Sequence, residues 1–258
     1  MTESSSLVAV VTGGSSGIGK SICEHFLSNG YIVISLSRRP NPITHPKLVD
    51  MRADLSAIED VKRVADEIAT YSPTTLVLNA GASLRKRTEE VLVEDLNRQV
   101  SLSITSGLVL AQACLAAMRH AHFGRIVMIS SRAIIGLAGV AAYSAAKAAQ
   151  VGLARSWALE FGPSGITVNV VAPGPIKTEM FDVEPRQAAE IERTLAGNLP
   201  VRRMGDPDDI ARAVMFLAAP QNGFITGQTI FVCGGASLGG VNTLAVISTA
   251  QDIEKRSG

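Results

Sequence analysis

The sequence predicts an α/β chain, a doubly wound, Rossmann-type parallel sheet of about seven strands with helices on both faces. Three observations carry that expectation. Short Val/Ile-rich runs are near-continuous rather than alternating, as strands covered on both faces should be. Longer stretches with helical spacing separate them, and strand–helix–strand repeated along a chain implies parallel pairing with right-handed crossovers. A glycine-rich turn closes the first run and opens the first helix.

The strands are expected at 7–13 (LVAVVTG), 31–37 (YIVISLS), 47–53 (KLVDMRA), 74–81 (TTLVLNAG), 124–131 (GRIVMISS), 165–174 (GITVNVVAPG) and 228–235 (QTIFVCGG). Helical patterns fill 17–29, 56–71, 88–121, 142–161 and 206–218. Two segments break the alternation. Residues 174–205, helical in the middle and bounded by Gly and Pro, are expected to form a lid over a site. The tail after Gly240 extends past the last strand and carries no functional reading. Without a compositional break or an internal repeat, residues 1–258 read as one domain.

Composition narrows the function. With 258 residues, 47% apolar and 18% charged, the chain is an ordinary globular one, long enough for one large core. A net charge of +1 without a dense basic run argues against a nucleic-acid partner. Cys23, Cys114 and Cys233 are odd in number and widely spaced, so a reducing cytoplasm is expected. His120 and His122 flank one alanine without a nearby carboxylate or thiol, and no metal is expected. The start, MTESSS, is polar and has no signal-peptide pattern. From Gln99 to Met118, 20 residues carry no charge, yet four Ser/Thr and two Gln make them too polar for a bilayer core. They read as a helix buried on most sides, at a subunit interface, in a chain with no membrane partner.

Chemistry concentrates in two places. In VVTGGSSGIGK (10–20), Gly13, Gly17 and Gly19 permit a tight turn, close backbone approach and helix-on-sheet packing. The free N–H groups of the helix start then face a negative ligand. The spacing is Gly-x-x-x-Gly-x-Gly, not Gly-x-Gly-x-x-Gly, so the strand before and the helix after carry the inference. In AAYSAAK (141–147), Tyr143 stands one helical turn before Lys147. Alone, that pair reads as a core tyrosine beside a solvated lysine.

In combination the motifs say more. TGGSSGIG (12–19), NAG (79–81), ISS (129–131), YSAAK (143–147) and VVAPGPIKT (170–178) resemble, in order and spacing, the short-chain dehydrogenase/reductase family. RRMGDPDDIARAVMFLAAP and ITGQTIFVCGGAS, within 202–237, resemble its C-terminal third. The similarity spans about residues 7 to 237, and the nearest branch is the 3-oxoacyl reductase-like one. The resemblance implies an NAD(P)-dependent oxidoreductase moving a hydride between nicotinamide C4 and a ketone or secondary alcohol. Tyr143 would be the general acid/base and Lys147 its partner, also bonding the nicotinamide ribose. An ammonium and a positive nicotinamide ring would both favour the phenolate and lower its pKa. A serine would hold the substrate oxygen. Counting back from Tyr143 gives Ser130, aligning the strand gives Ser131, and the strand alignment is preferred. Relatives place an asparagine midway along the long helix to steady a water in the proton path, and Ser103 stands there instead.

Cofactor contacts carry over to Gly13, Ser15, Ser16, Gly17, Ile18 and Gly19 in the turn, and to Asp54 and Leu55 beside the adenine. Others fall on Asn79, Ala80 and Gly81, on Pro173, Gly174, Ile176 and Thr178, and on Tyr143 and Lys147 themselves. Ser37 occupies the place of the acid that selects NAD(H), and Arg38 and Arg39 follow it, so NADP(H) is favoured. Ser16, where NADP-preferring relatives often carry a base, argues the other way. Leu84, Ile134, Ile135, Leu137, Met180 and Phe181 suggest a medium-sized substrate with apolar parts. The mixed charges of Lys177, Glu179, Asp182, Glu184 and Arg186 in the lid give no clear anion clamp. The resemblance further implies a homotetramer. The rival expectation is a cofactor-sensing protein on the same fold that has lost turnover, supported by Ser103 alone.

Overall fold

Strand and helix alternate as β1 (Val8–Thr12), α1 (Gly17–Ser28), β2 (Ile32–Ser37), β3 (Leu48–Arg52), α2 (Ile58–Ala69), β4 (Thr75–Leu78), α3 (Val93–Val100), α4 (Ser106–His120), β5 (Gly124–Ile129), α5 (Ala141–Phe161), β6 (Ile166–Pro173), α6 (Pro185–Gly197), α7 (Pro207–Ala218) and β7 (Thr229–Val232). The computed structural model describes residues 7–178 and 185–238. Each of the seven expected strands is present. They form one sheet of order β3-β2-β1-β4-β5-β6-β7. Every pairing is parallel. The chain's winding direction reverses at β1, which pairs with both β2 and β4. In sheets of this kind a ligand crevice opens beyond the carboxyl ends of the strands at that reversal.

Both faces of the sheet are covered, which explains the continuous apolar runs. Val8 and Val10 of β1 join Leu76, Ile126 and Val168 in a layer sealed by Val61 and Val64 of α2, Leu110 and Met118 of α4 and Trp157 of α5. Ala9 and Val11 point the opposite way, into a layer with Val77, Val127, Ile22 and Phe26 of α1 and Ile210 and Val214 of α7. Each fully buried Val, Ile or Leu contributes about 1.5–3 kcal/mol, so the sheet is a rigid platform for what stands at its end.

The helical pattern at 88–121 resolves into a short 3₁₀ turn (Thr88–Glu90), α3, one π-helical turn (Ser101–Thr105) and α4. A widened turn frees carbonyls from the usual ladder. Two of them are taken by side chains: the Ser106 hydroxyl donates to the Leu102 carbonyl (2.7 Å) and Gln150 Nε2 to the Ser103 carbonyl (3.4 Å). Among the described residues, Val93–His120 is the one helical stretch long and apolar enough to cross a bilayer, and 33% of its apolar window is buried. Leu110, Ala111, Cys114 and Met118 face the sheet, whereas Val93, Leu96, Val100 and Leu108 are exposed. Within one chain the sheet covers one face of this helix, and Val100 and Leu108 lie on the face that the expectation gave to a subunit interface.

In α5 the buried residues Ala146, Lys147, Gln150, Ala154, Trp157, Ala158 and Phe161 follow helical spacing. Two polar side chains within that stripe mark its first half as more than packing. The expected lid segment is tied at its ends by a bridge between Ile176 and Gly205, with α6 between them. Glu179, Met180, Phe181, Asp182, Glu184 and the tail after Gly240 lie outside the described residues, and so does the side chain of Arg186.

Candidate active site

A cavity of about 830 Å³ opens at the carboxyl ends of the strands. At its centre the turn from β1 into α1 makes an anion cradle. Gly17 has φ +51°, a conformation other residues rarely adopt. A Cβ on Gly19 would lie 2.1 Å from the Gly13 carbonyl oxygen, so only glycine lets the helix start this close to the strand. The first backbone hydrogen bond of α1 runs from Lys20 N–H to the Ser16 carbonyl, and no acidic side chain occupies the first turn. The N–H groups of Gly17, Ile18 and Gly19 thus face outward at the positive end of the helix. Asn79 braces the turn: its Nδ2 donates to the Thr12 carbonyl at 2.9 Å, while its own N–H and that of Ala80 reach Thr12 Oγ1 at 2.8 Å. This cradle fits a dinucleotide pyrophosphate.

The ends of β2 and β3 form one wall. The Ser37 hydroxyl donates to the Arg39 carbonyl (2.7 Å), and Arg39 Nη2 donates to Ser16 Oγ (3.0 Å), folding that guanidinium over the cradle. Arg38 is exposed on the same wall. The Asp54 carboxylate accepts from the Ser56 hydroxyl (2.7 Å) and N–H (2.9 Å). Those bonds hold it below the usual carboxylate range, with help from Arg38 and Arg98 nearby. A carboxylate among guanidiniums suits an adenosine end carrying both hydroxyl and phosphate groups.

The opposite end holds Tyr143, Lys147, Ser130 and Ser131 together. The two serines have different occupations. Ser130, buried, donates its hydroxyl to the Lys147 carbonyl (2.8 Å) and so pins α5 to the end of β5. Ser131 caps the following 3₁₀ turn (Arg132–Ile135) by accepting from Ala133 N–H (3.1 Å), and its hydroxyl is near enough to the Tyr143 phenol to influence its titration. Lys147 is buried, and its Nζ donates to the Ile129 carbonyl at 2.7 Å. Burial pushes its pKa down to about 8.

One part of the expectation for Tyr143, the pull of the Lys147 ammonium, is corrected. Burial raises the Tyr143 pKa above the ordinary phenol value, and the Ser131 hydrogen bond is the influence that opposes it. Lys147 Nζ lies 5.9 Å from the Tyr143 ring centroid and is directed at β5, so its charge does not pull the phenol down.

The residues expected to touch cofactor, from Gly13, Ser15 and Leu55 through Gly81, Pro173, Gly174, Ile176 and Thr178, all line this cavity. Ser103 does not. It is buried in the π-helical turn, and its hydroxyl has no hydrogen-bond partner among the described residues. Of the expected apolar surroundings, Leu137 lines the cavity, but Leu84, Ile134 and Ile135 do not. The capped turn aims Arg132 and Ala133 inward and leaves Ile135 in solvent. Leu102, Val140 and Leu195 take that apolar role, and Arg85, Arg98 and Arg132 add charge. Arg132 was visible in the sequence as the residue after ISS, and Arg85 as the first base after NAG.

Comparison with known proteins agrees with this architecture. A family profile described as enoyl-(acyl carrier protein) reductase matches residues 13–237. The chain is 36% identical to (2S)-[(R)-hydroxy(phenyl)methyl]succinyl-CoA dehydrogenase subunit BbsD of Thauera aromatica, over 90% of this chain and 96% of that one. It is also 36% identical to acetoacetyl-CoA reductase of Shinella zoogloeoides, over 89% and 98%. A solved oxidoreductase of the short-chain dehydrogenase/reductase family from Burkholderia thailandensis superposes with a TM-score of 0.86 at 30% identity, covering 96% of this chain and 98% of that one. ElxO, solved with NADP bound, gives 0.83 at 30% identity, covering 90% and 99%. With the sheet order, the cradle and these matches in agreement, the chain belongs to the short-chain dehydrogenase/reductase family of nicotinamide-dependent oxidoreductases.

Proposed function

We propose that the protein is an NADP(H)-dependent carbonyl reductase, or alcohol dehydrogenase in reverse, with Tyr143 as the general acid/base. The observation that carries this reading is that Ser131, Tyr143 and Lys147 line one cavity together with the anion cradle, Lys147 one turn beyond Tyr143 along α5. The cofactor, when bound, supplies the hydride that adds to the carbonyl carbon. Ser131 donates a hydrogen bond to the carbonyl oxygen and orients it. Tyr143 gives that oxygen its phenolic proton, so ketone becomes alcohol. A phenol held above its ordinary pKa is fully protonated at neutral pH, the state that reduction needs. Lys147, charged below about pH 8 and anchored at the end of β5, is placed to bond the nicotinamide ribose and hold the ring beside Tyr143. Arg38 and Arg39 support NADP(H) over NAD(H), because a 2′-phosphate on that wall would gain charge-assisted bonds. Residues 174–205 act as the lid, and Leu195 of α6 already lines the cavity.

The test is consumption of NADPH with a panel of ketones. Turnover that Tyr143→Phe lowers by orders of magnitude, with cofactor affinity kept, supports the reading. Tight cofactor binding without turnover on any ketone supports the cofactor-sensing alternative, which the unpartnered Ser103 hydroxyl favours. We also propose a homotetramer. Val100 and Leu108 on the α3–α4 helix and Ala145, Ala148 and Ala149 on α5 are exposed small or apolar faces suited to pairing between copies. Light scattering should then give four times the 27.1 kDa chain mass.

A further inference from the structure

We propose that Arg85 and Arg132 form an anion site at the substrate end of the cavity, and that the substrate is a carbonyl compound carrying a carboxylate or phosphate group. This rests on the reading of the cavity as a carbonyl-reductase site and names its substrate class.

The first argument is charge. Among the described residues the cavity wall carries Arg38, Arg39, Arg85, Arg98, Arg132 and Lys147 against one carboxylate, Asp54. A dinucleotide does not account for all of them. The turn N–H groups serve a pyrophosphate, Arg38 and Arg39 stand where a 2′-phosphate would lie, and Arg98 shares the field of Asp54 with Arg38. Lys147 is committed to the Ile129 carbonyl. Arg85 and Arg132 remain.

The second argument is position. Arg132 directly follows Ser131 and opens the turn that Ser131 caps, so its Cα is fixed beside the hydroxyl that faces Tyr143. Arg85 precedes Lys86, whose N–H donates to the Gly139 carbonyl at 3.0 Å and which bridges to Val140, three residues before Tyr143. That loop is held from behind as well: Gln99 Nε2 donates to the Ala82 carbonyl (3.1 Å), and Lys86 Nζ pairs with Asp95 (2.5 Å). Both arginines therefore stand on fixed backbone at the Tyr143 end.

The third argument is that both guanidiniums are uncommitted. Arg52, Arg63, Arg87 and Arg212 each have a carboxylate partner. Arg85 and Arg132 line the cavity without a hydrogen bond or ion pair to any of the described residues. The same cavity is lined by Leu102, Leu137, Val140 and Leu195, which offer no compensating charge. Guanidiniums presented to a partly apolar cavity favour a planar or tetrahedral oxyanion, which they bind through paired N–H groups.

The experiment compares matched pairs of ketones with NADPH as reductant: 4-oxopentanoate against its methyl ester, and dihydroxyacetone phosphate against dihydroxyacetone. The expected result is a kcat/KM about ten- to a hundredfold higher for the anionic member of at least one pair, as one or two charge-assisted bonds would give. The first pair reports a carboxylate, the second a phosphate. In the Arg85→Gln/Arg132→Gln double variant that ratio should fall toward one, and Arg132→Lys should keep part of it. Circular dichroism and NADPH binding establish that each variant is folded. If the double variant does not fold, the Arg132→Gln single variant carries the comparison with Arg132→Lys. Equal kcat/KM within both pairs, or a preference that folded variants leave intact, overturns the anion site while the reductase reading stands. Absence of turnover on all four ketones overturns both.

Discussion

Lys147 Nζ lies 2.7 Å from the carbonyl oxygen of Ile129, so the ammonium is anchored to the end of β5 rather than to the Tyr143 phenol. A charge held in so dry a place costs stability. Its folded pKa, about 8, lies below the ordinary 10.5, a difference worth about 3 kcal/mol. Below pH 8 that cost is present in full. Between about 8 and 10.5 the unfolded chain binds more protons than the folded one, so stability rises with pH across that window. Lys147→Met removes the charge but leaves the Ile129 carbonyl without its donor, which returns about 1 kcal/mol. Urea denaturation at pH 7 should therefore show the variant more stable by about 1–3 kcal/mol, with the gap closing above pH 8, and with turnover lost. A variant less stable at every pH would contradict the burial cost.

The same pKa sets the pH dependence of reduction. Tyr143, raised by burial, stays protonated through neutral pH and is not the limiting titration there. Lys147 loses its charge as pH passes about 8, and the hold proposed for it on the nicotinamide ribose weakens with it. We expect kcat/KM for ketone reduction to be flat up to roughly pH 7.5 and to fall above about 8. A decline that begins well below 8 would implicate another group.

Neighbouring serines should separate cleanly. Ser131→Ala removes the hydroxyl beside the phenol that is read as holding the carbonyl oxygen, so kcat should drop by about 10²–10³. Ser130→Ala breaks the bond to the Lys147 carbonyl and leaves that acceptor buried, a stability loss of about 1–3 kcal/mol seen first in thermal melts. If Ser130→Ala proved the kinetically severe change, the roles of the two would have to be exchanged.

These assignments show what was legible in the sequence. The strands were, because a run such as Val8–Thr12 can be apolar throughout only if both faces of the sheet are covered. The cradle was too, since Gly19 occupies a spot where a Cβ has no room. Preference for Ser131 over Ser130 followed from strand register, and the two hydroxyls have different partners, the Lys147 carbonyl for Ser130 and Ala133 N–H for Ser131. The π-helical turn was hidden, because it is sustained by Gln150 from another helix as well as by Ser106. The raised pKa of Tyr143 was hidden for a similar reason: helical spacing puts Lys147 on the same face but does not say that its ammonium turns toward Ile129. Ile134 and Ile135 misled because a tight capped turn, not apolarity, decides which side chains enter the cavity.

Cofactor choice offers a separate test. Arg39 reaches Ser16 across the cradle and Arg38 stands exposed beside it, so a 2′-phosphate would meet two guanidiniums at that strand end. Replacing both with glutamine should weaken NADPH binding by about ten- to a hundredfold and leave NADH binding nearly constant. Fluorescence titration of both cofactors measures the ratio. A parallel loss for both would mean that the arginines brace the cradle through Ser16 rather than select the phosphate.

Gly19→Ala tests whether the cradle works by backbone proximity. The added methyl would sit 2.1 Å from the Gly13 carbonyl oxygen and 2.5 Å from Asn79 Nδ2, and the nearer atom is main chain. Neither strand nor helix can yield without opening the turn, so overpacking should cost about 1–3 kcal/mol. For a chain of this size that lowers Tm by roughly 3–10 °C. The turn would also lose the alignment of its N–H groups, so NADPH binding should be lost even at temperatures where the variant is folded. Differential scanning calorimetry with and without NADPH reads both effects. A variant that melts like the parent and is still stabilised by NADPH would mean that the cradle tolerates a side chain at this position, against the close contact between Gly19 and Gly13.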